Sequence, residues 1–153
     1  MINDLVAAFY HTLQSGLFID EIMHGVVTLP FAAFLYYKTN SLKFSLIPLA
    51  ITYLIDMDHW VDYVLYYGAD VSIAKFVSGN YFEVTQRAVV PLHAWEWLLG
   101  LAALAWEGKK WKSVYTALAI GVFAHLVWDS HTVGSVIFYS IFYRIYNGFI
   151  IVI

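Results

Sequence analysis

Apolar residues run along this chain in five blocks, near 19–37, 44–67, 89–106, 113–130 and 134–152. Each approaches the ~20 residues that cross a bilayer as a helix. The first, "IDEIMHGVVTLPFAAFLYY", stops at "KTNSLK", and the third, "VVPLHAWEWLLGLAALAW", stops at "EGKKWK". The pattern predicts an all-α fold: a polytopic membrane helix bundle of four to five transmembrane helices, forming one integral membrane domain over residues 1–153. Residues 1–18 are acidic and amphipathic, which predicts a short interfacial helix rather than a cleavable leader. Residues 68–88 form the one long polar connection, and no repeat or interdomain linker interrupts the chain.

None of the first four blocks is cleanly apolar. Asp20, Glu21 and His24 lie at the start of the first, and Asp56, Asp58, His59 and Asp62 towards the end of the second. His93 and Glu96 lie at the start of the third; His125 and Asp129 close the fourth, with His131 just beyond. Consecutive spans run antiparallel, so start, end, start and end all fall at one membrane face. The opposite face receives Lys38, Lys43, Lys109, Lys110 and Lys112. The positive-inside rule puts those lysines in the cytoplasm and the acid- and histidine-bearing face on the extracytoplasmic side of a cell or inner membrane.

Composition agrees with a lipid environment. The chain is 61% hydrophobic and only 12% charged, with a mean hydropathy of +0.69, where soluble domains carry about 25% charged residues. A net charge of −3 without a basic patch gives no sign of a nucleic-acid partner. The absence of cysteine excludes disulfides and thiolate metal sites.

The clustered acids and histidines carry the candidate chemistry. Glu21/His24 and His93/Glu96 are i, i+3 pairs and His125/Asp129 an i, i+4 pair, spacings by which one helix offers two ligands. Asp56, Asp58, His59 and Asp62 spread over roughly 160° of an ideal helix, so an undistorted helix cannot aim all four at one ion. No lysine or arginine lies in the motif-bearing part of these four blocks. An aspartate at the bilayer centre costs about 2.5–3.5 kcal/mol even on lenient scales, so several together require captured cations. The candidate ligands are His24, Asp56, Asp58, His59, His93, Glu96, His125 and Asp129. Imidazole and carboxylate together suit zinc, with iron or manganese as alternatives. The number of acids asks for two or three ions. An acid not fully engaged in ligation, Asp58 or Glu96, is the candidate for orienting water or moving protons. Plainer roles suit other residues. Asp20 complements a helix N-terminus, and Glu21 fits that role as well as ligation. Asp62 fits a position behind the ligands, His131 and His11 fit interfacial positions, and Trp60, Trp95, Trp97 and Trp128 fit aromatic-belt or packing positions.

At "DMDH", taken with "MHG", "LHAWE" and "HLVWD", the chain resembles the membrane-bound metal-dependent hydrolases that include the LexA-regulated inner-membrane protein. Their order is an early histidine, D-x-D-H, a further histidine motif, then H-x-x-x-D. It is matched by His24, by Asp56, Asp58 and His59, by His93, and by His125 and Asp129, across residues 20–131. That family is distantly similar to zinc-dependent phospholipase C and the P1-type nucleases. The resemblance therefore implies metal-dependent hydrolysis of a phosphoester, with a lipid or lipid-linked substrate suggested by location. Many relatives read H-R-G-x-T-H at the third motif. This chain reads "HAWEW", without the arginine or the second histidine, and Glu96 stands where a ligand is missing. Three other classes fit parts of the pattern: a di-iron carboxylate redox protein, a metal or proton transporter, and a non-catalytic metal staple. The apolar halves "LPFAAFLYY" and "LLGLAALAW" offer no polar path and count against transport.

Overall fold

A computed structural model describes residues 17–106 and 114–151. The interfacial helix expected over 1–18 thus falls almost wholly outside the described residues, as do His11, Lys109, Lys110 and Lys112. The described chain is helical, with no strand and a single isolated antiparallel bridge between Arg87 and Ile150.

The first helix, α1, spans Leu17–Thr39, with Asp20 in its first turn and Lys38 in its last, each complementing the helix dipole. Ser41 then takes an extended conformation and α2 runs Leu42–Leu54. The helix tightens into a 3-10 turn over Ile55–Asp58 and resumes as α3, His59–Tyr67, stopping at Gly68 with φ +65°. Two short helices, α4 (Ile73–Ser78) and α5 (Asn80–Thr85), fill the polar connection. After an irregular stretch come α6, Glu96–Trp106, and α7, Val114–Val133. A 3-10 turn over Ile137–Tyr139 and the short α8, Ile141–Tyr146, complete the described fold.

Helices α1, α2 and α7 pack on one another pairwise, and α6 packs on α7. Small residues set the spacing of α2 and α7. Ser45, Pro48 and Thr52 form the buried face of α2, and Ala117, Gly121 and Ala124 lie buried on α7. A Cβ built on Gly121 would stand 2.9 Å from both the Ile51 Cβ and the Pro48 carbonyl oxygen. This is the small-residue packing that lets helix backbones approach closely.

Of the five expected spans only the first appears among the described residues as a helix long and apolar enough to cross a membrane, and the block 44–67 is divided by the 3-10 turn. The block 89–106 is helical only from Glu96 onward. The block 134–152 is not a spanning helix. Gly134 (φ +73°) breaks it at the start, an extended Ser140 restarts it by capping α8, and Gly148 (φ +62°) with Phe149 (φ +61°) ends it. The six residues of α8 rise only ~9 Å against a hydrocarbon core of ~30 Å. By length and composition one described helix is apolar enough to cross a membrane, Ile19–Thr39, near the N-terminus.

Polarity is distributed unusually. Buried positions include His24, Thr28, Thr52, His93, His125 and Arg144, while Leu29, Leu54, Leu65 and Leu99 are each more than half exposed.

Candidate metal centre

The fold brings four separate stretches of chain to one place. His24 lies in the second turn of α1, Asp56 and Asp58 in the 3-10 turn, His59 at the start of α3, His93 in the irregular stretch before α6, and His125 with Asp129 near the end of α7. The 3-10 turn matters because residues three apart eclipse in it. Asp56 and His59 therefore face the same side, with Asp56 Oδ1 3.6 Å from His59 Nε2. Asp58 and Asp62 turn instead towards the irregular stretch.

Four donor atoms form a compact cage: His93 Nε2, His125 Nε2, Asp56 Oδ1 and Asp129 Oδ2. The two nitrogens are 2.9 Å apart. His93 Nε2 lies 3.2 Å from Asp56 Oδ1 and 3.5 Å from Asp129 Oδ2. His125 Nε2 lies 3.4 Å from Asp56 Oδ1 and 3.1 Å from Asp129 Oδ2. Ligands on a tetrahedral zinc with Zn–N of about 2.0–2.1 Å stand roughly 3.3 Å apart, so the edges that meet at the two imidazole nitrogens are of the right length, while the donors that all lie close to one another fall into groups of three, Asp56/His93/His125 and His24/His125/Asp129. The other oxygen of Asp129, Oδ1, lies 2.7 Å from His24 Nε2. Asp129 thus joins the cage to a second donor.

The tautomers needed for metal binding are fixed by the surroundings. His125 Nδ1 donates to the Thr52 carbonyl at 2.8 Å, and His24 Nδ1 to the Asp20 carbonyl at 3.0 Å. Thr52 lies in the last turn of α2, where carbonyls lack intrahelical partners. His93 Nδ1 donates to the Asp58 carboxylate, with Oδ2 at 3.2 Å accepting and Oδ1 as near as 3.0 Å but poorly aligned. A carbonyl or carboxylate oxygen only accepts, so each Nδ1 carries a hydrogen; Nε2 of His24 and of His93 also faces a carboxylate oxygen, at 2.7 and 3.2 Å, and is the position an ion would take in place of a proton. Holding one ring nitrogen so that the other ligates is how proteins orient metal-binding histidines. Two lone pairs facing each other at 2.9 Å, as on His93 and His125, repel unless a cation or proton sits between them. Asp56 Oδ2 and Asp58 Oδ1 are also buried with no hydrogen-bond donor among the described residues. The donor set fits a divalent ion on all these counts.

Three groups could each hold a metal ion: His24/His125/Asp129, Asp56/His93/His125 and Asp58/His59/His93. They overlap at His93 and His125, each of which has only Nε2 to give. The three groups therefore cannot fill independently.

Asp62 lies behind the cage. Its two oxygens accept from the Val89 and Val90 amides at 2.6 and 2.9 Å, and Asp58 Oδ2 accepts from the Leu92 amide at 2.6 Å. Val90 has φ +30° and Pro91 follows it, so helical bonding is impossible there and side chains hold the backbone instead. Glu96 is not drawn into the cluster. Its carboxylate accepts from the Ser140 hydroxyl and the Ile141 amide, across to the start of α8. Asp20 accepts from the Trp128 indole, and His131 is exposed against the Trp128 ring.

Arg144 was not anticipated from sequence as part of this centre. It is completely buried and donates to the carbonyls of Val89 (2.7 Å), Val90 (2.8 Å) and His93 (2.7 Å). The available signal was a lone arginine in the apolar run "FYRIYNGF".

The cluster opens into a cavity of about 630 Å³. Glu21, His24, Asp56, His59, His93 and Asp129 line its polar part, and Met57, Phe76, Val77, Phe82, Phe138 and Ile151 contribute to its apolar walls. Compared with known proteins, the chain matches no family model, no curated protein and no solved structure.

Proposed function

We propose that this chain is a membrane-embedded, metal-dependent hydrolase of the zinc type, acting on a phosphoester with a lipid or lipid-linked body. The cluster of His93, His125, Asp56 and Asp129 carries the reading, because the five edges that meet at its two imidazole nitrogens, 2.9–3.5 Å, are those of ligands around one ion and both Nε2 atoms face the carboxylates across it. Charge supports a second ion. Asp56, Asp58, Asp62 and Asp129 against Arg144 leave three negative charges beside neutral imidazoles. One divalent ion leaves the centre negative. Two leave it positive, ready for an anionic group. His24, Asp129 Oδ1 and the nearby Glu21 are the donors for that second ion, on the cavity side.

Divalent ions held there would supply Lewis acidity and lower the pKa of bound water towards ~7. The chain's own residues supply the rest. Asp129 links the two donor sets, Asp58 fixes the His93 ring, and His59 stands at the cavity edge within reach of Asp56. The apolar walls accept a hydrocarbon body and leave the polar group at the floor. A bilayer setting is supported by the reversed polarity of the fold, since a soluble protein rarely exposes large contiguous apolar surface. With Lys38 and Lys43 at the far end, the site faces the extracytoplasmic side.

A second reading also has an observation in its favour. Four protein donors around one ion make a closed site, and closed sites are the structural kind. On that reading the ion staples the helices and no substrate reaches it. Elemental analysis of the detergent-purified protein, with phosphodiester hydrolysis on the same sample, separates the two. The hydrolase reading expects at least two zinc ions per chain. It also expects activity losses on the order of a thousandfold or more in Asp56→Asn and His125→Ala. Bound metal with no hydrolysis favours the staple, iron in place of zinc favours redox chemistry, and undiminished hydrolysis by both variants removes the site.

A further inference from the structure

We infer that Arg144 is a positioning residue for His93, holding this ligand in place through the backbone rather than through its side chain. The inference rests on the metal reading above. His93 stands on the one segment of the centre that has no regular secondary structure, residues 86–95, so no helix fixes its position. Its ring nonetheless contributes to the cage through Nε2 and is 98% withdrawn from solvent. Something must hold the segment still.

The holding is done from two sides. On one, Asp62 and Asp58 accept the amides of Val89, Val90 and Leu92. On the other, the Arg144 guanidinium donates to the carbonyls of Val89, Val90 and His93, one nitrogen taking two carbonyls and the other taking the third. Both polar groups of the peptide backbone are thus occupied on either side of Pro91, and the carbonyl of His93 itself is pinned. The planar fork of arginine reaches carbonyls in fixed directions, whereas a lysine offers a single point charge. Arg144 is itself anchored. It lies in α8, whose first turn is capped by Ser140, and Glu96 bonds the Ser140 hydroxyl and the Ile141 amide. A non-helical backbone at membrane depth is tolerated only where it is buried in protein or lines a cavity. Here Arg144 is the buried cation that makes it tolerable. The broken fifth apolar block therefore has a use: it carries a guanidinium to a place no spanning helix would put one.

Arg144 touches neither the cage atoms nor the cavity floor, so its effect must pass through His93. The test is a cobalt(II) titration of metal-stripped protein in detergent. It follows the visible absorption of the bound ion in wild type, Arg144→Lys, Arg144→Gln, His93→Gln and the Arg144→Gln/His93→Gln pair. Phosphodiester hydrolysis is measured on the zinc-loaded samples. Losing an outer partner of a ligand typically costs 10–100-fold in metal affinity. Arg144→Gln is expected to fall in that range, to shift the cobalt spectrum towards that of His93→Gln, and to add little to the loss once His93 is already replaced. Arg144→Lys keeps the charge and some carbonyl contacts, and is expected to lie between wild type and Arg144→Gln; it carries the test if the glutamine variant does not fold. A wild-type cobalt spectrum in the Arg144 variants, or losses that add fully in the double variant, overturns the inference. Wild type that takes up no cobalt overturns this inference and the metal reading together. Wild type that binds cobalt and hydrolyses nothing sinks the hydrolase reading alone and leaves the role of Arg144 to the spectra.

Discussion

The two ends of the bundle solve the same problem in opposite ways. Towards Lys38 and Lys43, α1 and α2 satisfy their backbones by helical bonding, and side chains only reinforce it: Thr39 donates to the Leu35 carbonyl and Ser45 to the Leu42 carbonyl. At the other end the helices stop, and charged side chains, three of them buried, take over the backbone. Asp58, Asp62, Glu96 and Arg144 all bond main-chain groups there. Regular helices are cheap to build in a dry environment but can aim few side chains at one point. Irregular chain aims them freely and then needs partners for every exposed amide and carbonyl. The donors of the centre come from both kinds of structure, and the stability of the two ends should respond differently to substitution.

The sharpest break is predicted at Asp62→Ala. It leaves the buried Val90 amide and the half-buried Val89 amide without acceptors, at about 1–3 kcal/mol each. A total of about 3–5 kcal/mol should appear as earlier thermal unfolding in detergent, with weaker metal retention as His93 loosens. Unfolding at the wild-type temperature would mean that the irregular stretch does not depend on its carboxylate partners.

Gly121→Ala probes the regular end. A new methyl group would crowd Ile51 and the Pro48 carbonyl, and a backbone atom cannot move aside as a flexible side chain can. Overpacking of this kind typically costs about 1–3 kcal/mol. Widening the α2–α7 spacing would also stretch the His125 bond to Thr52, so metal affinity should fall slightly, by less than about tenfold on the scale of losing an orienting partner outright. Equal stability in Gly121→Ala and wild type would show that the two helices are less tightly fixed than their spacing implies.

How much of this was legible in the sequence differs between the same two ends. Helices α1, α2 and α7 follow directly from apolar runs, and His24, Asp56, His93, His125 and Asp129 do come together, although His93 arrives on irregular chain and not on a helix. The fifth block misleads because hydropathy alone does not separate a spanning helix from a broken segment, here one that buries only Phe138, Tyr139 and Arg144. Its interruptions were visible as Gly134, Ser140 and Asn147-Gly148, but each is tolerated singly in membrane helices. Glu96 misleads for a related reason. Its i, i+3 spacing from His93 means a shared face only if one helix contains both, and α6 begins at Glu96 itself. Arg144 was hidden by distance: 51 residues separate it from His93, and no periodicity links a cation on one segment to carbonyls on another. The 3-10 turn was equally invisible, although the need for a distortion at Asp56–Asp62 was apparent from the arc those side chains would otherwise span.

Glu96→Gln tests the division between the two kinds of structure with the smallest expected effect. The substitution keeps the shape of the side chain and replaces one carboxylate oxygen by an amide nitrogen. One of its two donors, the Ser140 hydroxyl or the Ile141 amide, then loses its acceptor, and the hydroxyl is free to turn elsewhere. The cost should be about 1 kcal/mol, that of one ordinary hydrogen bond. Because the carboxylate points to the start of α8 and away from the cage, metal content should match wild type. The cobalt absorption should be unchanged as well, which separates Glu96 from every residue whose loss alters the ligands. A variant of normal stability that sheds its metal would place Glu96 among the ligands after all, and the boundary between scaffold and centre would then run through α6 rather than before it.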